Sequence, residues 1–276
     1  MSGALLEEMA AGSHARVRAA KQRLSEAALA AEAQRSDLPP PLRLGAGGFD
    51  LIAELKLRSP AAGALATEDA DRGRRVRAYA QAGAAAVSVL TEPVRFAGSL
   101  AHLAEAATAL APHTVPAMRK DFLVEPYQVL EARVAGAGGV LIIVRMLETA
   151  AIDALLDCAR NHGLFALLEA FDEQDLERMH ALIGAYAGSM TVLAGVNCRD
   201  LTTLEVVPRR LLELAPLLPA GVPRVAESGV TTQADARRVA AAGYELALVG
   251  SALMQHENPA ALVQVLLEAG RAARPA

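Results

Sequence analysis

The chain has 276 residues, 53% of them hydrophobic and 21% charged, and a net charge of −4. That length can bury a large core, while the interspersed charges and the 3% of aromatic residues give neither the basic face nor the stacking row that nucleic acid requires. Cys158 and Cys198 lack CxxC spacing and fit a reducing compartment. No apolar run approaches the roughly 20 residues of a spanning helix, and the first residues lack a basic-then-apolar leader. The expectation is a cytoplasmic protein without membrane contact.

Residues from about 4 to 35 are rich in Ala, Leu, Glu, Arg and Gln without proline, and read as helix. Pro39-Pro40-Pro41 ends that segment, and Gly45 to Gly48 lead out of it. Residues 1–48 are therefore expected to be an N-terminal helical extension, and residues 49–276 the main body of a single domain. Short β-rich runs then alternate with helical stretches: Phe49–Leu55, Ala85–Leu90, Val115–Arg119, Gly139–Val144, Leu164–Leu168, Val192–Val196, Pro223–Ala226 and Glu245–Val249. Ala82-Gly83-Ala84, Ala135-Gly136-Ala137 and Ala242-Gly243-Tyr244 each precede a strand, as glycine does when it closes a helix in the left-handed region. Eight β-then-α units with nearly continuous apolar strands predict an α/β fold of the (β/α)8 TIM-barrel type. A doubly wound open sheet is the alternative, weakened by the absence of GxGxxG after the first strand.

Chemistry in such barrels sits at the carboxyl ends of the strands. The residues there are Glu54 and Lys56, Thr91 and Glu92, Lys120 and Asp121, Arg145, Glu169, Asn197 and Arg199, Glu227 and Ser228, then Gly250 and Ser251. Glu54 and Lys56, at i and i+2, leave the same face of an apolar strand. Lys56, Lys120, Glu54, Glu169 and Glu227 are expected to converge on one mouth, where crowded ammonium and carboxylate groups shift each other's pKa values apart and supply an acid and a base. Glu227-Ser228-Gly229 and Gly250-Ser251 follow the last two strands, the usual place of a phosphate cradle. Arg58 and Ser59 add charge and a hydroxyl near it. Asn197 is placed to hydrogen-bond substrate, and Arg199 either clamps a carboxylate or pairs with Asp200. The six histidines are scattered, with no HxxxH, so no metal is expected.

On these residues the chain resembles the indole-3-glycerol-phosphate synthase family. The matching segments are Ile52-Ala-Glu-Leu-Lys56 with Ser59-Pro60, Arg119-Lys-Asp-Phe122 into Glu125-Pro-Tyr-Gln128, Leu168-Glu169, Gly195-Val-Asn-Cys-Arg-Asp-Leu201, Ala226-Glu-Ser-Gly229 and Val249-Gly-Ser-Ala-Leu-Met254. Thr91-Glu92 with Phe96, Gly98 and Ser99 is similar to the loop after the family's second strand. The resemblance implies ring closure of 1-(2-carboxyphenylamino)-1-deoxyribulose 5-phosphate with loss of CO2 and water, in tryptophan biosynthesis, with no cofactor or metal. By position Lys120 matches the family's lysine acid and Glu169 its carboxylate acid/base. Lys56 matches the other catalytic lysine, which binds the substrate carboxylate or acts as an acid. Glu54, Asn197 and Glu227 match its supporting polar residues, and Phe96 and Phe122 would pack the anthranilate ring. The partner implied is a phosphorylated small molecule, and the working form a monomer or weak homodimer.

The first loop departs from the family pattern. Leu57 stands where a basic residue is usual, and Ala61 and Ala62 where Ser and Lys often stand. Each hydrogen bond lost to a charged group costs roughly 1.5–3 kcal/mol, so a looser hold on the phosphate is expected. Open alternatives are a paralogue using a modified anthranilate-derived substrate, another phosphate-binding barrel lyase or Schiff-base aldolase, and a degenerate paralogue that only binds phosphate.

Overall fold

The computed structural model describes residues 3–61, 63–65 and 71–274; Ala62 lies outside them. Eight strands close into one parallel barrel: β1 (Asp50–Leu55), β2 (Ala86–Leu90), β3 (Ala117–Lys120), β4 (Gly139–Ile143), β5 (Phe165–Ala170), β6 (Val192–Asn197), β7 (Arg224–Glu227) and β8 (Leu246–Val249). Closure runs from β1 to β8, with Asp50 opposite Leu246 and Ala53 opposite Val249. The (β/α)8 expectation holds. Strand bounds move by at most two residues, and the shift matters: β3, β5, β6 and β7 each run far enough to include Lys120, Glu169, Asn197 and Glu227. Those side chains are thus carried on rigid strand rather than on loops.

The strands are apolar because both faces are covered. Inward residues such as Ile52, Ala86, Met118, Leu141, Leu167, Leu193, Val225 and Leu246 fill the barrel. Outward residues such as Leu51, Val87, Val140, Ile142 and Ala194 meet the surrounding helices through Val76, Tyr79, Leu103, Ile152 and Leu155. Gly83, Gly136 and Gly243 take φ values of +100°, +84° and +100°, so the repeated Ala-Gly junction is the left-handed helix stop its sequence suggests.

The helical N-terminal segment is two helices, α1 (Gly3–Arg23) and α2 (Glu26–Arg35). The break falls at Ser25, whose hydroxyl accepts from the Ala28 N–H at 3.3 Å and caps α2. Val17, Ala20, Leu29 and Ala33 pack on Tyr127 and Leu130. Arg133 donates to the carbonyls of Ser36 and Asp37 at 2.8 and 2.7 Å, anchoring the end of α2. Among the described residues no helix is long and apolar enough to cross a membrane.

A buried ionic network ties α1 to the end of β3. Arg119 donates to Asp121 at 3.0 Å, Glu131 at 3.0 Å, the Gln128 carbonyl at 2.7 Å and Thr91 at 3.2 Å. Asp121 also accepts from Arg16 and Thr91, each at 2.8 Å, and from the Phe122 N–H at 2.8 Å. Ser13 of α1 donates to the Phe122 carbonyl. The strand-end residues Thr91 and Asp121 therefore serve the frame. Glu92 does likewise, accepting from the N–H groups of Val94, Arg95 and Phe96. So does Arg145, which pairs with Asp172 and Asp175.

Burial pushes the Asp121 carboxyl up, but Arg119, Arg16, Thr91 and the Phe122 N–H outweigh it and hold it below its ordinary 3.8. A depressed folded pKa stabilises the fold above the ordinary value and stops doing so as pH falls through the folded one. Asp121→Asn is expected to cost about 1.5–3 kcal/mol at neutral pH, and the gap to the parent should narrow in thermal melts below about pH 4. A gap that stays constant into acid would contradict this.

Candidate active site

At the carboxyl ends of the strands lies a cavity of about 450 Å³. One wall is apolar, built from Leu5 and Met9 of α1 with Leu90, Phe96, Phe122, Leu141 and Ile143. The rings of Phe96 and Phe122 lie 6.3 Å apart with a 40° tilt. The opposite wall and floor carry Glu54, Lys56, Lys120, Glu169, Asn197 and Glu227. Alternation sends four of these inward, each two residues beyond an inward apolar side chain of its strand: Ile52 before Glu54, Met118 before Lys120, Leu167 before Glu169, Val225 before Glu227.

Lys120 Nζ sits 3.1 Å from Glu169 Oε2 and 3.3 Å from Glu227 Oε2. Burial alone would push this ammonium down, but Glu169, Glu227 and Glu54 outweigh it and raise its pKa above the ordinary lysine value. Glu227 is raised well above 4.5, by burial and by the adjacent Glu169, with Lys120 only partly opposing. Its Oε1 is buried and has no hydrogen-bond partner. The cluster thus favours the ammonium form of Lys120 and pushes the Glu227 carboxyl toward its protonated form. Lys56 forms a separate pair, its Nζ 2.6 Å from Glu54 Oε1. Burial pushes Glu54 up, yet Lys56 and Lys120 more than compensate and leave it below the ordinary value.

Two glycines make room for these charges. A Cβ on Gly195 of β6 would overlap Glu227 Oε1 and lie 2.9 Å from Leu167 Cδ1. A Cβ on Gly250 would overlap Glu54 Oε1 and lie 2.9 Å from Lys56 Nζ. Side chains at either place would displace the carboxylates.

The remaining expected residues divide. Ser59, Arg199, Ser228, Gly229, Gly250 and Ser251 line the cavity. Ser228 and Gly229 are both left-handed, at φ +67° and +73°; the serine is held there against a cost on the order of 1–3 kcal/mol. No side chain caps the turn at Gly250, whereas Asp235 accepts from the N–H groups of Thr231 and Thr232 at 3.2 and 3.0 Å and closes the neighbouring helix start. Asn197 Oδ1 accepts from the Arg199 N–H at 3.0 Å, and Arg199 Nη1 donates to the Leu204 carbonyl at 2.6 Å. The nearest cation to Asp200 is Arg210, at 4.0 Å. Arg58 is exposed and outside the cavity lining. Leu57 is 5% exposed and packed in the core, so it is not a vacant cation position facing the cavity; Ala61 does line the cavity. Leu5, Met9 and Arg16 escaped sequence reasoning, because nothing local says where a helix docks. Gly195 carried a signal, since an isolated glycine inside a strand marks a close approach.

Comparison with known proteins places this geometry in a lineage. A family model described as indole-3-glycerol phosphate synthase matches residues 6–266. The indole-3-glycerol phosphate synthase of Parafrankia sp. (strain EAN1pec) is 44% identical over 250 residues, covering 89% of each chain. That of Mycobacterium tuberculosis (strain CDC 1551 / Oshkosh) is 42% identical over 257 residues, covering 92% of this chain and 89% of the relative. Among solved structures, 3-hexulose-6-phosphate synthase from Salmonella typhimurium has a TM-score of 0.61 at 12% identity, over 82% of this chain and 100% of that one. Ligand-free tryptophan synthase from M. tuberculosis has a TM-score of 0.55 at 17% identity, over 82% and 95%. Likeness at these identities establishes the barrel alone, but the family model and the sequence relatives go further. The chain belongs to the indole-3-glycerol phosphate synthase family.

Proposed function

We propose that this protein closes the indole ring of 1-(2-carboxyphenylamino)-1-deoxyribulose 5-phosphate, giving indole-3-glycerol phosphate, CO2 and water. The observation that carries the reading is the Lys120 ammonium held 3.1 and 3.3 Å from Glu169 and Glu227, beside an apolar wall with two phenylalanine rings. The ring carbon that bears the carboxylate attacks the ketone carbon. Lys120 polarises the ketone oxygen and gives it a proton as charge develops there. Loss of CO2 restores aromaticity. The new hydroxyl then leaves as water with an added proton, while Glu169 takes a proton from the adjacent ring carbon. Lys56, aligned by Glu54, holds the substrate carboxylate or supplies the second proton, and Asn197 hydrogen-bonds the sugar. Phe96 and Phe122 clasp the aromatic ring. Ser228-Gly229 and Gly250-Ser251 bind the phosphate, with Ser59 and Arg199 beside them and Arg58 at the outer rim.

A lysine held this firmly as an ammonium is poorly suited to a Schiff base, which needs a free amine and thus a lowered pKa. Under this reading the working form is a monomer or weak homodimer. Residues 1–48 act as an extension that closes the mouth, and 49–276 carry the chemistry. The free thiols Cys158 and Cys198 support a reducing, cytoplasmic setting.

The direct test is incubation with the carboxyphenylamino-deoxyribulose phosphate, read by indole fluorescence. The chain has no tryptophan, so product emission should rise from a low background; no emission at high enzyme concentration would reject the reading. Lys120→Met should lower kcat by about 10²–10⁴-fold while the thermal melt stays that of a folded barrel. Glu227 and Glu169 should separate on amide substitution: Glu227→Gln copies a protonated carboxyl and should be much milder than Glu169→Gln, which removes a base. Equal losses in kcat would contradict the assignment. Gly195→Ala should lower kcat by displacing Glu227; an alanine variant with parental kcat would refute the crowding.

A further inference from the structure

Outside the cavity, the helix that follows the first loop, α3 (Arg72–Gln81), reaches across to the far end of the site. Arg75 Nη1 donates to the Leu253 carbonyl at 3.1 Å. One turn on, the fully buried Tyr79 points its hydroxyl at Met254 Sδ, 3.6 Å away. Both contacts land on the short helix Ser251–Gln255. Burial pushes the Tyr79 hydroxyl up to about 12, with Arg75 the main opposing influence, so the two α3 side chains act on the same spot.

Five residues are too few for a helix to hold itself, so its place depends on tertiary contacts. Its last carbonyls have no partner within the helix, and Arg75 satisfies one of them. At its other end, Gly250 presses against the Glu54–Lys56 pair closely enough to exclude any Cβ. A small tilt of this helix therefore moves the Gly250-Ser251 turn and the ion pair together.

We propose that Arg75 is a positioning residue: by holding the Leu253 carbonyl it sets the Gly250-Ser251 turn at the distance that binds the substrate phosphate and keeps Lys56 aligned on Glu54. Arg75 is absent from the cavity lining. The inference rests on the assignment of that turn to phosphate made above. It makes α3 a brace for the seat of the phosphate.

The test compares the parent with Arg75→Met and Arg75→Gln, using KM and kcat for the phosphorylated substrate and inorganic phosphate as competing ligand. The methionine keeps the apolar stem; the glutamine keeps a donor. In the parent, phosphate should inhibit competitively. In Arg75→Met, KM and the phosphate inhibition constant should rise together by about 5- to 20-fold, kcat should fall by less than that through the loosened Lys56, and Arg75→Gln should fall between. A purely structural role would instead lower active-enzyme content and kcat while leaving KM unchanged. If phosphate competes in the parent but neither constant moves in folded variants, Arg75 does not position the turn and the inference is overturned. If phosphate fails to compete even in the parent, the turn is not the phosphate seat, and both assignments fall. Should Arg75→Met not fold, Arg75→Gln decides by the same two constants.

Discussion

Ionised groups held in a largely apolar barrel set the terms for the rest of this molecule. An isolated buried ammonium or carboxylate is costly, and such groups persist when they are paired. Lys120 meets that condition with two carboxylates and Lys56 with one. Two acidic side chains around one ammonium leave an excess of negative charge, which together with burial drives the Glu227 pKa up. The acid and the base that the chemistry requires thus follow from the same electrostatic constraint.

Holding such a cluster still requires rigid support, and the fold supplies it from three directions. Strand alternation fixes which way each side chain leaves the wall. Gly195 and Gly250 leave the space that the carboxylates occupy. The Arg119–Asp121–Arg16 network locks the residue that follows Lys120, and with it the backbone of Phe122. Because Arg16 belongs to α1, the helix that contributes Leu5 and Met9 to the apolar wall also steadies the polar floor.

Much of this was legible in the sequence, for a physical reason. Period-two burial and the left-handed glycine at each αβ junction are local properties, so the eight units and the inward direction of Glu54, Lys120, Glu169 and Glu227 can be read without coordinates. Lysine usage adds to it: the chain has three lysines, and two of them, Lys56 and Lys120, are at the mouth, while arginine serves most framework pairs. What stayed hidden were long-range relations. Leu57 reads as a missing cation, but its side chain turns into the core. Arg199 has Asp200 beside it in sequence and uses the Leu204 carbonyl instead. The break at Ser25 and the docking of α1 depend on Phe122, Tyr127 and Asp121, a hundred residues away or nearly so.

The acidic groups around Lys120, Glu169 first among them, keep it an ammonium throughout the working pH range. Lysine labelled with ¹³C at Cε, followed by NMR as pH is raised, measures this directly, and three lysines make the spectrum assignable. The account predicts that the Lys120 signal keeps its ammonium shift beyond the ordinary lysine value of 10.5. A Lys120 resonance that titrates well below that value would contradict it, and would make this residue a free amine at neutral pH.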